Sequence, residues 1–595
     1  MAGRARSPVA GSFCHPAASK AADHQQDGFL DMLQNALREY DPVSADASST
    51  AAAGAPPRLA VDVRRFPWMR PLSGDYAFNF ANVAPLYAGD PQSADAWRET
   101  ARRVRACARK PAEIAAAISA QQARRGAPGE SQSAAARLAN ADATAVVTGQ
   151  QAGLFGGPLF TILKAITTIQ LARRTERELG APVVPVFWVD AEDHDWDEIA
   201  SCTILDAQNQ PRTITLAKPE GAGERPIATL TLDESVTAAL AELEGALAQT
   251  EFTGWVLAGL RATYRPGVGV ADAFARFLEL LLGPHGLVVF DSSDHSVKPL
   301  LRNLFHHEVA TPGRTAALAA KAGEALSARG HSPQVVPQAD SLSLFRLDGT
   351  RKPIRIQGDG FVAGDQTFSA NALAQEASSE PQHFSPNVLL RPLAQDTLFP
   401  TICYVAGPSE LAYLGQLGEV YRHFNLPMPL IHPRATATLV DSATARFLQK
   451  YDVPFEDLQP QDEAALNRLL QAQLPPFVET SLTEAEDTIR RSMEHAVSAV
   501  TSVDPTLAGA ARTTLGKMDH ELKALRGKVI QAAKRRDETL RRQFIRAQSQ
   551  TFPQGHPQER TLSVVYFLNL YGPALIERLM EELPIDLGKH WVLSI

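Results

Sequence analysis

The apolar and polar residues fall into a strand, helix and strand pattern toward the end of the first third of the chain. Residues 143–147 form a short, mostly apolar run, and the glycine-rich segment 149–157 follows it. Apolar residues then recur at helical spacing over 159–169, and Gly180 ends the predicted helix. Residues 183–189 are apolar almost throughout, which is typical of a strand buried on both faces. The pattern predicts a βαβ unit and therefore a parallel sheet.

Two later apolar runs end, like the first two, in polar residues. Residues 287–290 run into an Asp-Ser-Ser-Asp-His sequence, and residues 402–406 run into Gly-Pro-Ser-Glu, whose proline marks a helix start. The polar, strand-like stretches between these runs predict inserted segments, at about residues 206–270 and 311–385. We therefore predict an α/β fold whose parallel-sheet core, residues 61–480, is interrupted by insertions.

The pattern becomes helical from about residue 481 to residue 550. Apolar residues recur there in steps of three and four, the heptad signature of a coiled coil, at Leu515, Met518, Leu522, Leu525, Val529 and Ala532. A proline-containing break at 502–505 separates them from an earlier amphipathic helix, so we predict an antiparallel helical hairpin. Residues 551–595 contain apolar runs and are expected to pack back on the globular part. The Ala-, Ser- and Pro-rich residues 1–60 are predicted to be a flexible extension.

Composition and charge argue against several classes of protein. The formal net charge is −8 and no domain-sized basic region is evident, so nucleic acid is not expected as a partner. The four cysteines form no CxxC pair, so neither a zinc ribbon nor a disulfide framework is predicted. No apolar run reaches the roughly 18 residues of a membrane span, and no signal peptide is recognisable. We expect a cytoplasmic protein without a membrane partner.

The inferred strands end in the most polar sequences of the chain, and the carboxyl ends of parallel strands face one crevice. The first of these sequences offers candidate substrate contacts from glycines and glutamines, namely Gly149, Gln150, Gln151, Gly153, Gly156 and Gly157. Backbone N–H groups at a helix start suit an anion. The segment is neither a Walker A loop nor a GxGxxG fingerprint, so a tight packing turn explains the glycines equally well. The two glutamines favour ligand contact.

The second polar sequence crowds carboxylates around one histidine. We single out Glu192, Asp193, His194 and Asp195 as candidate catalytic residues, because this acidic run directly follows an apolar strand. Acidic residues at the start of a surface helix are the alternative explanation. A metal site would need a distant second ligand such as His295, so we assign no metal.

A third group of candidates surrounds the last strand. Arg391 lies beside apolar runs, and its planar guanidinium suits a substrate carboxylate or phosphate; an internal pair with Asp396 is the equal alternative. Glu410 and Tyr413, three residues apart, share one face of the following helix. The other candidates for substrate binding in this region are Asn387, Gln395, Ser409 and Arg434.

Five sequences, in family order along the chain, resemble the bacillithiol-biosynthesis cysteine-adding enzymes, the BshC family. They are VTGQQAGLFGGPL (147–159), PVFW through EDHD (185–195), SPNVLLRP (385–392), GPSELAY (407–413) and QER (558–560). Each sequence is weak alone, but together they are specific, and the resemblance covers roughly residues 62–595. It does not extend to residues 1–60. Asp190 stands where the family commonly has a small or apolar residue.

The resemblance implies a fold and an activity. The fold would be a Rossmann-like core with inserted connecting segments and an α-helical antiparallel coiled-coil arm that forms a homodimer. The activity would be a ligation that joins the carboxyl group of cysteine to the amino group of glucosaminyl-malate, with ATP expected as cofactor from the reaction class. The glycine segment would hold a phosphate or oxyanion. His194, oriented by Asp193 or Asp195, would accept the amine proton, and Arg391 would hold a malate carboxylate.

Two other functions are compatible with the residues. One is a metal-dependent hydrolase or deacetylase that uses the acidic run 192–195 together with His295, which metal analysis of purified protein would distinguish from a ligase. The other is a non-catalytic dimeric scaffold, which rests on the coiled coil alone and leaves the polar strand ends unexplained.

Overall fold

The computed structural model describes residues 58–595, apart from the side chains of Lys534 and Arg536. The predicted extension 1–60 lies outside the described residues up to residue 57, and residues 58–60 belong to the first strand.

The strands and helices alternate through most of the described chain. The strands are β1 (Arg58–Asp62), β2 (Thr144–Gln150), β3 (Val183–Val189), β4 (Ser201–Leu205), β5 (Pro211–Thr215), β6 (Val288–Asp291), β7 (Ser341–Leu347), β8 (Arg351–Gln357), β9 (Gly360–Ala363), β10 (Gln366–Ser369), β11 (Phe384–Pro386), β12 (Thr401–Ala406), β13 (Leu430–Pro433), β14 (Thr436–Val440) and β15 (Lys589–Ser594). The helices are α1 (Pro71–Phe78), α2 (Ala94–Ala106), α3 (Pro111–Arg125), α4 (Gly129–Ala136), α5 (Leu159–Leu179), α6 (Trp196–Ile199), α7 (Ser235–Ala246), α8 (Thr253–Thr263), α9 (Val270–Leu282), α10 (Arg302–Ala310), α11 (Arg314–Ser327), α12 (Ala370–Ser379), α13 (Arg391–Leu398), α14 (Pro408–Leu414), α15 (Gly418–His423), α16 (Ser442–Tyr451), α17 (Ala464–Ala472), α18 (Pro476–Thr501), α19 (Leu507–Arg536), α20 (Glu538–Thr551), α21 (Gln558–Thr561), α22 (Val564–Tyr571) and α23 (Ala574–Glu582).

The central sheet is parallel, with the strand order β13-β12-β2-β3-β6. Along the chain the sheet grows from β2 through β3 to β6, and it then continues on the other side of β2 with β12 and β13. This is the Rossmann order, and its topological switch point lies between β2 and β12. The predicted Rossmann-like, parallel-sheet core is confirmed.

Helix α5 shows why the periodicity of the sequence is informative in this core. Leu159, Ile162, Ile166 and Ile169 are completely buried against the sheet, and each such side chain contributes about 1.5–3 kcal/mol on burial. Gly180 ends the helix with a φ of 63°, a left-handed conformation that glycine adopts without strain. The helix therefore begins and ends where the sequence predicted.

Inserted units interrupt the core between β3 and β12. The first contains the antiparallel hairpin of β4 and β5. The second is an antiparallel sheet with the order β10-β9-β8-β7-β11. Strand β11 ends at Pro386, shortly before α13 begins at Arg391, so the second insertion leads the chain directly to the edge of the switch point.

The C-terminal region consists of a small sheet and a helical arm. Strand β15 lies between β1 and β14 and pairs with both. Helices α18 and α19 form the antiparallel hairpin, in which Arg526 pairs with Glu479 and Glu486. No helix within residues 58–595 is long and apolar enough to cross a membrane.

The arm is shorter than the predicted range 481–550. Asp537 separates α19 from α20, because its carboxylate accepts the N–H group of Leu540 (2.8 Å) and so starts a new helix. Leu540 and Phe544 of α20 are buried in the globular part. The arm therefore comprises the hairpin of α18 and α19.

Candidate active site

A cavity of about 310 Å³ lies at the carboxyl ends of β2 and β12, at the switch point of the sheet. Ligands of open α/β sheets usually bind at this position. The charged side chains that line it are Lys164, Arg391, Arg434, Arg560, Asp190, Glu198 and Glu410. Residues that follow β2, β3 and β12 line the cavity, but after β3 these are Asp190 and Glu198 and not the candidates at 192–195. Those that follow β6 do not line the cavity, because β6 lies at the far edge of the sheet.

Lys164 and Glu410 form an ion pair in the wall of the cavity. Lys164 is buried on α5, and its ammonium donates to the backbone oxygen of Gly149 (2.7 Å) and to Glu410 Oε2 (2.5 Å). The hydroxyl of Tyr404 donates to Glu410 Oε1 (2.7 Å). Burial raises the pKa of Glu410, but the charge of Lys164 and these hydrogen bonds outweigh it and hold the pKa below its usual value. The charged pair thus joins the end of β2 to the start of α14.

Arg391 and Asp190 lie side by side on the cavity wall. Arg391 Nη2 donates to the hydroxyl of Tyr413 (2.8 Å), and Arg391 Nε lies 3.9 Å from Asp190 Oδ2. Burial raises the pKa of Asp190 to about 6, although Arg391 opposes this shift. The Asp190 carboxylate therefore has a neighbouring cation but no hydrogen-bond donor among residues 58–595.

The alternative internal pair between Arg391 and Asp396 does not form. Asp396 is buried and accepts hydrogen bonds from Tyr421 (2.5 Å) and from the amide of Gln395 (2.9 Å). Gln395 is buried behind Arg391, with its Oε1 3.5 Å from Arg391 Nη1. The guanidinium is therefore supported from behind, and it faces the cavity.

Two further arginines, Arg434 and Arg560, line the cavity. Arg434 and Glu559 form a buried, two-pronged ion pair with distances of 2.6 and 3.0 Å. Arg560 follows directly and lines the cavity, and its guanidinium makes no hydrogen bond or ion pair with any other residue in the range 58–595. Arg434 is thus held by the fold, whereas Arg560 is available to an anion.

A second cavity, of about 560 Å³, adjoins the first. The two share Glu198 and Arg560 in their linings, and the second also contacts Trp68, His556 and Gly157. Two reactants therefore have adjacent places to bind.

The glycine segment divides between ligand contact and packing. Gly149, Gln150 and Gln151 line the first cavity. The N–H groups of the later glycines are used within the protein at 3.0 Å each: Gly153 donates to Gln151 O, Gly156 to the Tyr264 hydroxyl and Gly157 to Leu154 O. A Cβ at Gly156 would lie 2.8 Å from the ring of Phe277. Gly156 permits this close packing, whereas Gly153 and Gly157 line the second cavity, and none of the three presents a free N–H group to an anion.

The outer two carboxylates of the acidic run 192–195 have structural partners. Glu192 is buried, pairs with Lys298 and accepts the hydroxyl of Ser385 (3.1 Å). Asp195 accepts the N–H group of Glu198 (3.3 Å) and starts α6, as a helix-capping acid does.

The inner two residues of the run contact the second insertion. Arg351, on β8, places its Nη1 3.4 Å from both Asp193 Oδ1 and His194 Nδ1. The imidazole of His194 is 38% exposed, and neither Asp193 nor His194 lines the cavity. His295 is exposed, and nowhere in the described chain do three His, Cys, Asp or Glu residues come together in a way that could hold a metal ion.

The remaining candidates differ in their roles. Ser409 lines the cavity. The Asn387 side chain accepts the N–H groups of Leu389 (2.9 Å) and Leu390 (3.2 Å), so it shapes the turn before α13 and does not line the cavity. Lys164 was missed, although it is the only charged residue among the apolar and neutral residues of 159–171, which was a usable signal.

Comparison with known proteins identifies relatives over the whole described chain. Residues 60–435 match the family model "Bacillithiol biosynthesis BshC, N-terminal Rossmann-like domain", and residues 437–595 match "Bacillithiol biosynthesis BshC, C-terminal coiled-coil domain". A protein of Salinibacter ruber is 37% identical over 530 residues, which are 88% of this chain and 95% of the relative. Relatives from Koribacter versatilis (34% identical, 74% of this chain and 82% of theirs) and Heliobacterium modesticaldum (35%, 87% and 96%) are similar. All three carry the name "Putative cysteine ligase BshC".

Proposed function

Because the chain belongs to the BshC family of bacillithiol biosynthesis, we propose that it joins the carboxyl group of cysteine to the amino group of glucosaminyl-malate. Family membership makes it a ligase that forms a carbon–nitrogen bond. The observation that carries the substrate assignment is the mixed charge of the cavity at the switch point, where arginines lie close to a carboxylate that has no hydrogen-bond donor among residues 58–595.

The cationic side chains suit the malate part of the acceptor. Malate carries two carboxylates, and a guanidinium binds a carboxylate through two parallel hydrogen bonds. Arg391 is already oriented by Tyr413 and Gln395, and Arg560 has no partner in the described chain. We therefore assign the carboxylates of the acceptor to Arg391 and Arg560.

ATP is proposed as the co-substrate, because a carboxylate must be activated before an amine can replace its oxygen. The glycine segment does not fit a phosphate, since the N–H groups of Gly153, Gly156 and Gly157 are engaged. The second cavity, of about 560 Å³, adjoins the acceptor cavity and is the place that we propose for the phosphate groups. ATP would supply the phosphate that activates the cysteine carboxyl group.

A homodimer through the arm is also proposed. Phe477, Met518 and Leu525 are 70%, 40% and 47% exposed on the hairpin. Exposed apolar residues on one element favour association, and a second copy of the heptad face would cover them. A cytoplasmic location stays a prediction.

The metal-dependent hydrolase is not favoured. Its proposed ligands do not converge, because Glu192 pairs with Lys298 while His295 is exposed. A non-catalytic scaffold gives no reason for charged side chains around a cavity.

The proposed reaction is tested with purified full-length protein, cysteine, ATP and glucosaminyl-malate. Mass spectrometry should detect the cysteinyl amide only when all three reactants are present. Omission of each reactant in turn is the control. Absence of the amide from the complete mixture, with protein shown to be folded by circular dichroism, would refute the proposal.

A further inference from the structure

Asp190 is the carboxylate in the cavity that the fold leaves without a hydrogen bond. Its side chain is 27% exposed, and its nearest cation is Arg391 at 3.9 Å, beyond hydrogen-bonding distance. The other carboxylates of the lining are engaged, Glu410 by Lys164 and Tyr404, and Glu198 by the amide of Gln151 (3.0 Å). Asp190 therefore has room for a donor that comes with the ligand.

Because Asp190 lies next to Arg391, the charge of the ligand group that would donate a hydrogen bond to Asp190 can be inferred. A ligand whose carboxylate binds Arg391 would bring its neighbouring groups close to Asp190. A carboxylate without a donor in a confined site is best matched by a protonated amine, which supplies both charge and N–H groups. Trp188, at the end of β3, also lines the cavity.

We propose that Asp190 binds the protonated amine of the acceptor substrate and takes up its proton. This inference rests on the proposed ligation and names the residue that makes the amine nucleophilic in this chain. Because the resembled family commonly has a small or apolar residue at this position, the inference applies to this chain and to relatives that carry an acid here. The ammonium gives one proton to Asp190, and the freed nitrogen lone pair forms the C–N bond to the phosphate-activated carboxyl carbon of cysteine. The C–O bond to the phosphate group then breaks, and the second nitrogen proton leaves with that group.

The charges around Asp190 support this role. Burial raises its pKa to about 6, and Asp193 and Glu192 act in the same direction. Arg391 on α13 and Arg351 on β8 act in the opposite direction. A base with a pKa close to the working pH is the most effective proton acceptor.

His194 is the competing proton acceptor predicted from the sequence. It follows Asp190 by four residues, but its imidazole contacts Arg351 and does not line the cavity. An amine bound beside Arg391 is therefore next to the carboxylate of Asp190, whereas the imidazole lies outside the cavity, 3.5 Å from Asp193 Oδ1.

The experiment combines kinetics with binding, in the full-length protein. For the wild type we expect kcat/KM for ligation to fall below about pH 6 as Asp190 is protonated. Asp190→Asn should lower kcat by roughly 10²–10⁴-fold and abolish this fall. The matched control is Asp197→Asn, since Asp197 is an exposed acid of the same segment outside the cavity, and its rate and pH profile should be unchanged.

Binding is measured by calorimetry with glucosaminyl-malate and with malate alone. Asp190→Asn should weaken the binding of glucosaminyl-malate at least 10-fold. It should not weaken the binding of malate alone, because the variant lacks the carboxylate that repels malate. A structural role of Asp190 would weaken both ligands.

The outcomes separate this inference from the proposed function. Normal ligation by Asp190→Asn overturns the role of Asp190 and leaves the ligase intact. A wild type that binds the amine through Asp190 but forms no amide supports the amine site and refutes the ligation. A wild type that neither binds nor ligates overturns both.

Discussion

Replacement of Asp190 by asparagine should stabilise the protein, and the gain should depend on pH. The carboxyl group has an ordinary pKa of 3.8 and a pKa of about 6 in the folded protein, chiefly because burial penalises its charge. At neutral pH the fold therefore holds a carboxylate that would be more stable in water. Asparagine has a similar shape and no charge, so Asp190→Asn removes this cost.

The magnitude follows from the difference between the two pKa values. Each pKa unit corresponds to about 1.4 kcal/mol, so the full effect is about 3 kcal/mol. The folded protein binds the proton more tightly than the unfolded chain does, so this stabilisation of the wild type is complete below about pH 4 and is lost as the pH rises through about 6. Of the full effect, about 1.4 kcal/mol falls between pH 5 and pH 8.

Urea unfolding of both proteins, followed by tryptophan fluorescence at pH 5 and pH 8, measures this difference. The advantage of Asp190→Asn over the wild type should be larger at pH 8 by about 1.4 kcal/mol. Asp197→Asn, at an exposed position of the same segment, controls for the loss of one acid. The reasoning would be refuted if the advantage of Asp190→Asn were equal at both pH values. It would also be refuted if the wild type were more stable than Asp190→Asn at pH 8.

Three further predictions concern substrate binding, proton transfer and assembly. Arg391→Ala should raise KM for glucosaminyl-malate at least 10-fold with little change in kcat, and a loss confined to kcat in steady-state kinetics would contradict the carboxylate contact. Because Asp190 is the proposed proton acceptor and His194 lies outside the cavity, His194→Ala should keep most of the ligation rate. A loss of roughly 10²–10⁴-fold would return the role of proton acceptor to His194. The double substitution Leu522→Glu and Leu525→Glu should give monomers in analytical ultracentrifugation. A dimer that persists in this variant would place the interface outside the arm.

The parts of the fold that could be predicted are those set by local periodicity. Strand β3 and helix α5 were found because a run of consecutive apolar residues and apolar residues at helical spacing are different patterns in the sequence. The boundary at Asp537 was missed, since a helix-capping carboxylate inside a continuous polar helix does not change that pattern.

The acidic run shows why site residues are harder to predict than strands. Glu192 and Asp190 are both acids near the end of β3, and from the sequence we proposed Glu192, and not Asp190, as a catalytic residue. Glu192 is neutralised by Lys298, which lies 106 residues further along the chain, whereas Asp190 meets no donor. The difference depends on long-range packing, which no local pattern encodes.

The central claim, that the cavity at the switch point is the acceptor site, is tested most directly by a crystal structure of the protein with glucosaminyl-malate. We predict density in that cavity, with the malate carboxylates on the guanidinium groups of Arg391 and Arg560 and the amine within hydrogen-bonding distance of Asp190. Density for the ligand at any other place, with this cavity empty, would contradict the account.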